Sequence, residues 1–338
     1  MTIETAKRAI DFAMEQGEGD FQLGFFGGEP LQKWGLLQNA TRYAERVLAE
    51  KGRRLVCTVT TNGIGLSRER VEWLDTHGFY LGVSIDGNRE MHESCRFLAG
   101  GRSSFDGVVR GLKTALKYPH SVETVTVLDP KNISYLPDGV QFLAELGVKR
   151  ISLNPNFYEE WSDDQLSQWE RAYERVGDYL LSRYRAGAPV AVNVIDAKMI
   201  TRIKNGYAKS DRCRFGCGEM AVAPSGNIYP CERLVGDDSD EAVCIGSVHT
   251  GYDMAKRVAL LGQRGNHDLE CASCSLRDRC MNWCGCVNYT TTGAIDSAPG
   301  VLCFHEKLAI RVADRIASTL YHEKNASFLT RFYHVSGD

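Results

Sequence analysis

The sequence predicts an α/β protein: a parallel sheet or partial barrel, followed by a smaller cysteine-rich module. Three observations carry this. Strand-like and helix-like patterns alternate through the first two thirds of the 338 residues. The predicted strands end in short polar or glycine-rich stretches, as the ligand-facing rim of such a sheet does. After about residue 206 the alternation stops and cysteines crowd the chain.

Ile3, Ala6, Ile10 and Ala13 recur at helical spacing, so residues 2–16 read as an amphipathic helix. A β-type run over 21–26 ends at Gly27-Gly28. Leu37, Ala40, Ala44 and Leu48 mark a second helix that stops near Gly52. Further strand-like runs cover 55–60, 80–85, 124–128 and 150–153, separated by helical stretches near 66–76, 104–117, 134–146 and 163–185. Right-handed crossovers join such units into a parallel sheet. Beyond it, Ala223-Pro224-Ser225-Gly226-Asn227 has the chemistry of a tight turn between short strands. Leu308, Val312, Ile316 and Leu320 stand four apart and mark a helix that returns the chain to the body.

Composition narrows the function classes. Hydrophobic content of 43% and charged content of 25% are ordinary for a globular chain. A net charge of −3 gives no electrostatic reason for a nucleic-acid or membrane partner. The N-terminal residues lack the basic and apolar regions of a signal peptide, which makes the cytoplasm the expected location. There the thiols stay reduced, so the twelve cysteines are not a disulfide framework. Cys57, Cys95 and Cys244 read as ordinary thiols; the other nine fall between 213 and 303. The run Cys271-x2-Cys274-x5-Cys280-x3-Cys284, with Cys213, Cys217 and Cys231 before it and Cys303 after, has the look of two four-thiolate sites. Iron–sulfur clusters and zinc both use such ligands.

At the strand ends stand Phe26-Gly27-Gly28-Glu29-Pro30-Leu31, Thr60-Thr61-Asn62-Gly63, and Val83-Ser84-Ile85-Asp86-Gly87, followed by His92-Glu93-x2-Arg96. Together with Gly226-x4-Cys231 and the later cysteine spacing, they resemble the radical S-adenosyl-L-methionine (SAM) enzymes with a SPASM-type auxiliary domain. That family includes sulfatase-maturing enzymes and peptide maturases. The resemblance implies a partial (β/α) barrel of radical SAM type over 1–205, a SPASM domain over 206–303, and a C-terminal helix and tail over 304–338. It implies that Gly27, Gly28 and Glu29 hold the SAM amino group, that Ser84 contacts the ribose, and that Arg96 pairs with the carboxylate. It also implies two [4Fe–4S] auxiliary clusters. Cys213, Cys217, Cys231 and Cys284 would hold one, and Cys271, Cys274, Cys280 and Cys303 the other. Cys286 falls outside the pattern, as a spare thiol or an alternative to Cys284. A pair of zinc sites remains the rival for these thiols.

The family's Cys-x3-Cys-x2-Cys loop, which binds the SAM-cleaving cluster, is absent: no cysteine precedes Cys57. Five core strands are then expected of the family's six, the first being missing. Two readings stand. One is a truncated maturase that modifies side chains of a peptide or protein substrate, with an electron donor as second partner. The other is a catalytically inactive iron–sulfur partner for binding or electron transfer. Glu232, next to Cys231, matches an acidic general base of sulfatase-maturing relatives, and a carboxylate beside an anionic cluster should hold its proton more tightly. The other reading of Glu232 is a solvated pair with Arg233.

Overall fold

The computed structural model describes residues 1–118, 122–262 and 269–333, so the end of the tail expected at 304–338 lies outside the described residues. Strands β1 (Phe21–Phe25), β2 (Leu55–Thr61), β3 (Phe79–Ser84), β4 (Val122–Leu128), β5 (Arg150–Pro155) and β6 (Ala191–Val192) form one sheet in the order 1-2-3-4-5-6. Every neighbouring pair is parallel, with registers such as Phe21↔Leu55, Val59↔Leu81 and Ser84↔Val125. Sequential order with right-handed crossovers places all connecting helices on one face. The sixth strand is one more than the pattern predicts. At two residues it is too short to show a period.

The connecting helices are α1 (Ile3–Glu15), α2 (Trp34–Glu50), α3 (Arg68–Thr76), α4 (Arg89–Glu93), α5 (Phe105–Ala115), α6 (Leu136–Glu145), α7 (Asp163–Arg185) and α8 (Asn193–Lys204). Local chemistry starts several of them. The Thr2 hydroxyl accepts from Thr5 N–H at the head of α1, and Ser162 and Gln165 form a reciprocal capping box on α7. Burial alternates along β4 and β5. Val122, Leu128, Ile151 and Leu153 are buried in the main core with Val140 and Leu143 of α6 and Trp169, Tyr173 and Val176 of α7. Thr58, Thr60, Ser84, Val125 and Ser152 point to the opposite face and are half-buried.

The second part is built on short antiparallel strands: β7 (Ala221–Val222), β8 (Asn227–Tyr229), β9 (Gly246–Ser247) and β10 (Gly251–Tyr252). The turn expected at 223–227 joins β7 to β8, with Gly226 N–H donating to Ala223 O at 2.9 Å. Helices α9 (Met254–Leu261), α10 (Leu269–Ser273) and α11 (Gly285–Thr292) follow. Their core gathers Phe215, Ile228, Tyr229, Ile245, Val287 and Leu302, and Phe12 of α1 and Phe157 lean into it. The Phe12 and Tyr252 rings meet edge-on at 5.0 Å, joining the two parts.

The returning helix is α12 (Gly300–His322), followed by α13 (Ala326–Tyr333). Leu308, Val312, Ile316 and Leu320 are buried as expected, and α12 packs on α7 and α8. Each such side chain contributes roughly 1.5–3 kcal/mol when fully buried. No helix among the described residues is long and apolar enough to cross a membrane.

Candidate SAM-binding edge and thiol sites

All six strands run the same way, so their carboxyl ends share one edge. Gly27 and Gly28, just after β1, adopt φ of +83° and +48°, a left-handed turn that side chains resist. The turn presents Glu29, whose carboxylate is held on both oxygens. Oε1 accepts from Leu31 N–H at 3.0 Å and from the Thr61 hydroxyl at 2.7 Å, and Oε2 accepts from Asn62 N–H at 2.7 Å. Glu29 therefore stays fixed against the end of β2, with lone pairs to spare for a cation.

Ser84 closes β3 on the half-buried face, and its hydroxyl has no protein partner among the described residues. Two residues on, Asp86 is buried. Its Oδ1 accepts from Val127 N–H at 2.8 Å and its Oδ2 from Arg96 Nε at 2.6 Å. Gly87 is required beside it: a Cβ there would come within 2.7 Å of Gly139 Cα. His92 fills the space behind. Its Nδ1 accepts from Asp86 N–H at 3.3 Å and its Nε2 meets the Ser104 hydroxyl at 2.8 Å. Burial pushes its pKa down to about 4, so the ring is neutral and structural. The sequence motifs thus bring Glu29, Ser84 and Arg96 to one edge. Asp86 and Thr61, inside the quoted motifs but given no role, are the residues that hold two of them.

The cysteines are all free thiols. Cys284, at the start of α11, lies 3.7 Å from Cys286, sulfur to sulfur. The buried Cys286 thiol bonds to both Cys231 and Cys284, and these bonds push its own pKa up. Its bond, helped by the Arg233 charge, draws Cys284 down to about 7. Cys213 lies within electrostatic reach of Cys284, and its thiol donates to Glu219 at 3.3 Å; burial first and Glu219 second push it up to about 12. Cys217 is exposed. Arg233 does not pair with Glu232: its guanidinium bonds to the Tyr158 hydroxyl beside Cys284 and Cys286. Glu232 itself is exposed and accepts from Cys231 Sγ at 3.6 Å.

The remaining four thiols lie around α12. Cys303, in its first turn, and Cys274 both face Lys307, one turn further on. Cys271 sits on α10, and Cys280 lies against the Glu306 carboxylate; burial and that charge push its thiol up to about 12. Among the described residues no three His, Cys, Asp or Glu side chains stand close enough to hold one metal ion. The thiols fall into two neighbourhoods, one at the start of α11 and one around α12. Their free state and the nearby Arg233 and Lys307 cations fit thiolate ligation.

No family model matches the chain. It is 20% identical over 317 residues to a cysteine-type anaerobic sulfatase-maturating enzyme of Clostridium novyi (strain NT), covering 84% of this chain and 78% of the relative. It is 22% identical over 319 residues to the radical SAM cyclopropyl synthase TigE of Paramaledivibacter caminithermalis (strain DSM 15212 / CIP 107654 / DViRD3), covering 91% of this chain and 62% of TigE. Among solved structures, native anSMEcpe with bound AdoMet superposes with a TM-score of 0.79 at 17% identity, over 96% of this chain and 91% of that one. Streptococcus suis SuiB bound to its precursor peptide SuiA gives 0.59 at 18% identity, over 90% and 69%. In sequence and fold the chain resembles radical SAM maturases.

Proposed function

We propose that this chain is the SAM-holding core and auxiliary iron–sulfur module of a maturase that modifies side chains of a peptide or protein. The observation that carries the reading is the row of Glu29, Ser84 and Arg96 on one sheet edge, in a chain whose second part carries the clustered cysteines. The named relatives, one a sulfatase-maturating enzyme and one solved bound to a precursor peptide, support the substrate class.

A zwitterionic amino acid needs a fixed carboxylate for its ammonium and a cation for its carboxylate. Glu29 is the fixed carboxylate, locked by Thr61 and Asn62. Arg96 is the cation, with Nε engaged by Asp86 and its Nη groups left to meet a carboxylate. The unpartnered Ser84 hydroxyl is left for a ribose oxygen. In the second part, Cys213, Cys217, Cys231 and Cys284 would hold one auxiliary [4Fe–4S] cluster and Cys271, Cys274, Cys280 and Cys303 the other. Bound clusters supply one-electron transfer to and from the substrate. Glu232, exposed beside Cys231, would take the substrate proton.

The three-cysteine loop that binds a SAM-cleaving cluster would come from sequence ahead of α1. The alternative is an iron–sulfur partner without SAM cleavage, for binding or electron transfer. Anaerobic reconstitution tests the shared core of both readings. About eight irons and eight sulfides per chain are expected for two [4Fe–4S] clusters. Stoichiometric zinc without acid-labile sulfide would overturn both.

A further inference from the structure

Behind Cys280 lies an ion pair that the proposed chemistry has not used. Lys198 of α8 and Glu306 of α12 meet at 2.5 Å, with side chains 1% and 2% exposed. Lys198 Nζ also donates to the Arg279 carbonyl at 2.9 Å and the Tyr207 hydroxyl at 3.2 Å. The Glu306 Oε2 atom that receives it also accepts from Met281 N–H at 2.6 Å. The peptide groups on both sides of Cys280 are therefore tied to the pair, and the Cys280 thiol lies against the same carboxylate. Arg279 adds a second clamp, bidentate to Asp314 of α12 at 2.6 and 2.9 Å, with a bond back to the Lys198 carbonyl at 3.1 Å.

Burying two charges is unfavourable, and apolar residues of the same volume pack a core as well or better. Packing alone does not account for this pair. Its neighbours do: Cys280 touches Glu306, and Cys303 stands one turn before Glu306 on α12. We propose that Lys198 and Glu306 are positioning residues that fix the Cys280 ligand and set the reduction potential of the cluster held by Cys271, Cys274, Cys280 and Cys303. This rests on the iron–sulfur reading of that thiol set. The two charges act in opposition. Lys198 favours the electron-rich reduced cluster, and Glu306 disfavours it.

The test is a redox titration of the reconstituted full chain, followed by electron paramagnetic resonance, for wild type, Lys198→Met, Lys198→Arg and Glu306→Gln. Lys198→Met should shift one cluster to lower potential and Glu306→Gln should shift the same cluster upward. Each reduction equilibrium should change about tenfold, or roughly 59 mV for one electron. Lys198→Arg, which keeps the charge, should stay near wild type, and the other cluster should not move. A purely structural pair would move both variants the same way or only lower iron content. Shifts of the same sign, or none, would overturn the proposal. If Lys198→Met fails to load, Glu306→Gln decides by the sign of its shift. A wild-type chain that takes up no second cluster would overturn the underlying reading instead, which metal analysis shows before any titration.

Discussion

Asp86 grips Arg96 by one edge of its guanidinium, Oδ2 to Nε at 2.6 Å, while its other oxygen is tied to the Val127 amide. The carboxylate is 1% exposed and the arginine 29%, so the anchor is buried and the cation is partly open to solvent. A guanidinium held by Nε keeps its Nη1–Nη2 edge for a second carboxylate. Asp86→Asn should weaken SAM binding about tenfold, the equivalent of ~1.4 kcal/mol. Arg96→Lys should cost at least as much, because an ammonium has no fork. Calorimetric titration with SAM checks both. Unchanged affinity in Asp86→Asn would mean that Arg96 needs no anchor.

Cys286 touches Cys284 and Cys231 and is buried, so it is a neighbour of the first thiol set whatever its role. With two clusters loaded, Cys284→Ala and Cys303→Ala should each lose about four irons, from different clusters. Cys286→Ala should keep the iron but alter the resonance of the first cluster, since hydrogen bonds to sulfur tune it. Mössbauer and electron paramagnetic resonance counting distinguish the cases. Loss of a full cluster from Cys286→Ala would make it a ligand.

The reconstituted chain, given SAM and a reductant, should form no 5′-deoxyadenosine above background. Its cluster sites are each assigned four thiolates, which leaves no open iron for SAM. A version extended upstream with a Cys-x3-Cys-x2-Cys loop should regain cleavage, read by chromatography. Repeated turnover by the 338-residue chain would show an open site in an auxiliary cluster.

His92 makes stability depend on pH. Its pKa in the fold is about 4 against an ordinary 6.5, because burial disfavours the charged ring. The unfolded chain therefore binds the extra proton between those values. Stability is fully present above about pH 6.5 and is lost as pH falls toward 4, by roughly 3 kcal/mol in all. His92→Gln should flatten that slope relative to wild type in denaturation curves from pH 7.5 to 4.5. Other groups are common to both proteins, including Asp196, which burial raises to about 7 and which acts in the opposite sense. Parallel slopes would refute this assignment.

Strands such as Leu55–Thr61 were legible because β-branched residues alternate between a buried and a half-buried face. Motif order placed Glu29, Ser84 and Arg96 on one edge, because parallel strands leave no other place for their ends. What holds those residues was not legible. Asp86 meets Arg96 across a turn and Val127 across 41 positions, and no local period records such a contact. A pair with its neighbour Glu232 was one of two readings that involved Arg233, yet Arg233 reaches Tyr158 in the β5–α7 connection. Lys198 lies beyond the last strand and helix the sequence pattern marks in the sheet region, and the packing of α8 on α12 buries it.

Helix α12 fixes an order of manufacture. It carries Cys303 and Glu306 near its start, and the stripe Leu308 to Leu320 that covers α7 and α8. Apart from α13, everything it packs on is synthesised before it. A nascent chain can pair its sheet early, but until α12 emerges the apolar backs of α7 and α8 stay uncovered and one thiol set lacks a member. Closure of the core and completion of that thiol set then arrive together, after synthesis of the sheet. Loading machinery would meet a body already folded, and a chain stalled before α12 would present sticky helices and reactive thiols at once, a ready substrate for quality-control proteolysis.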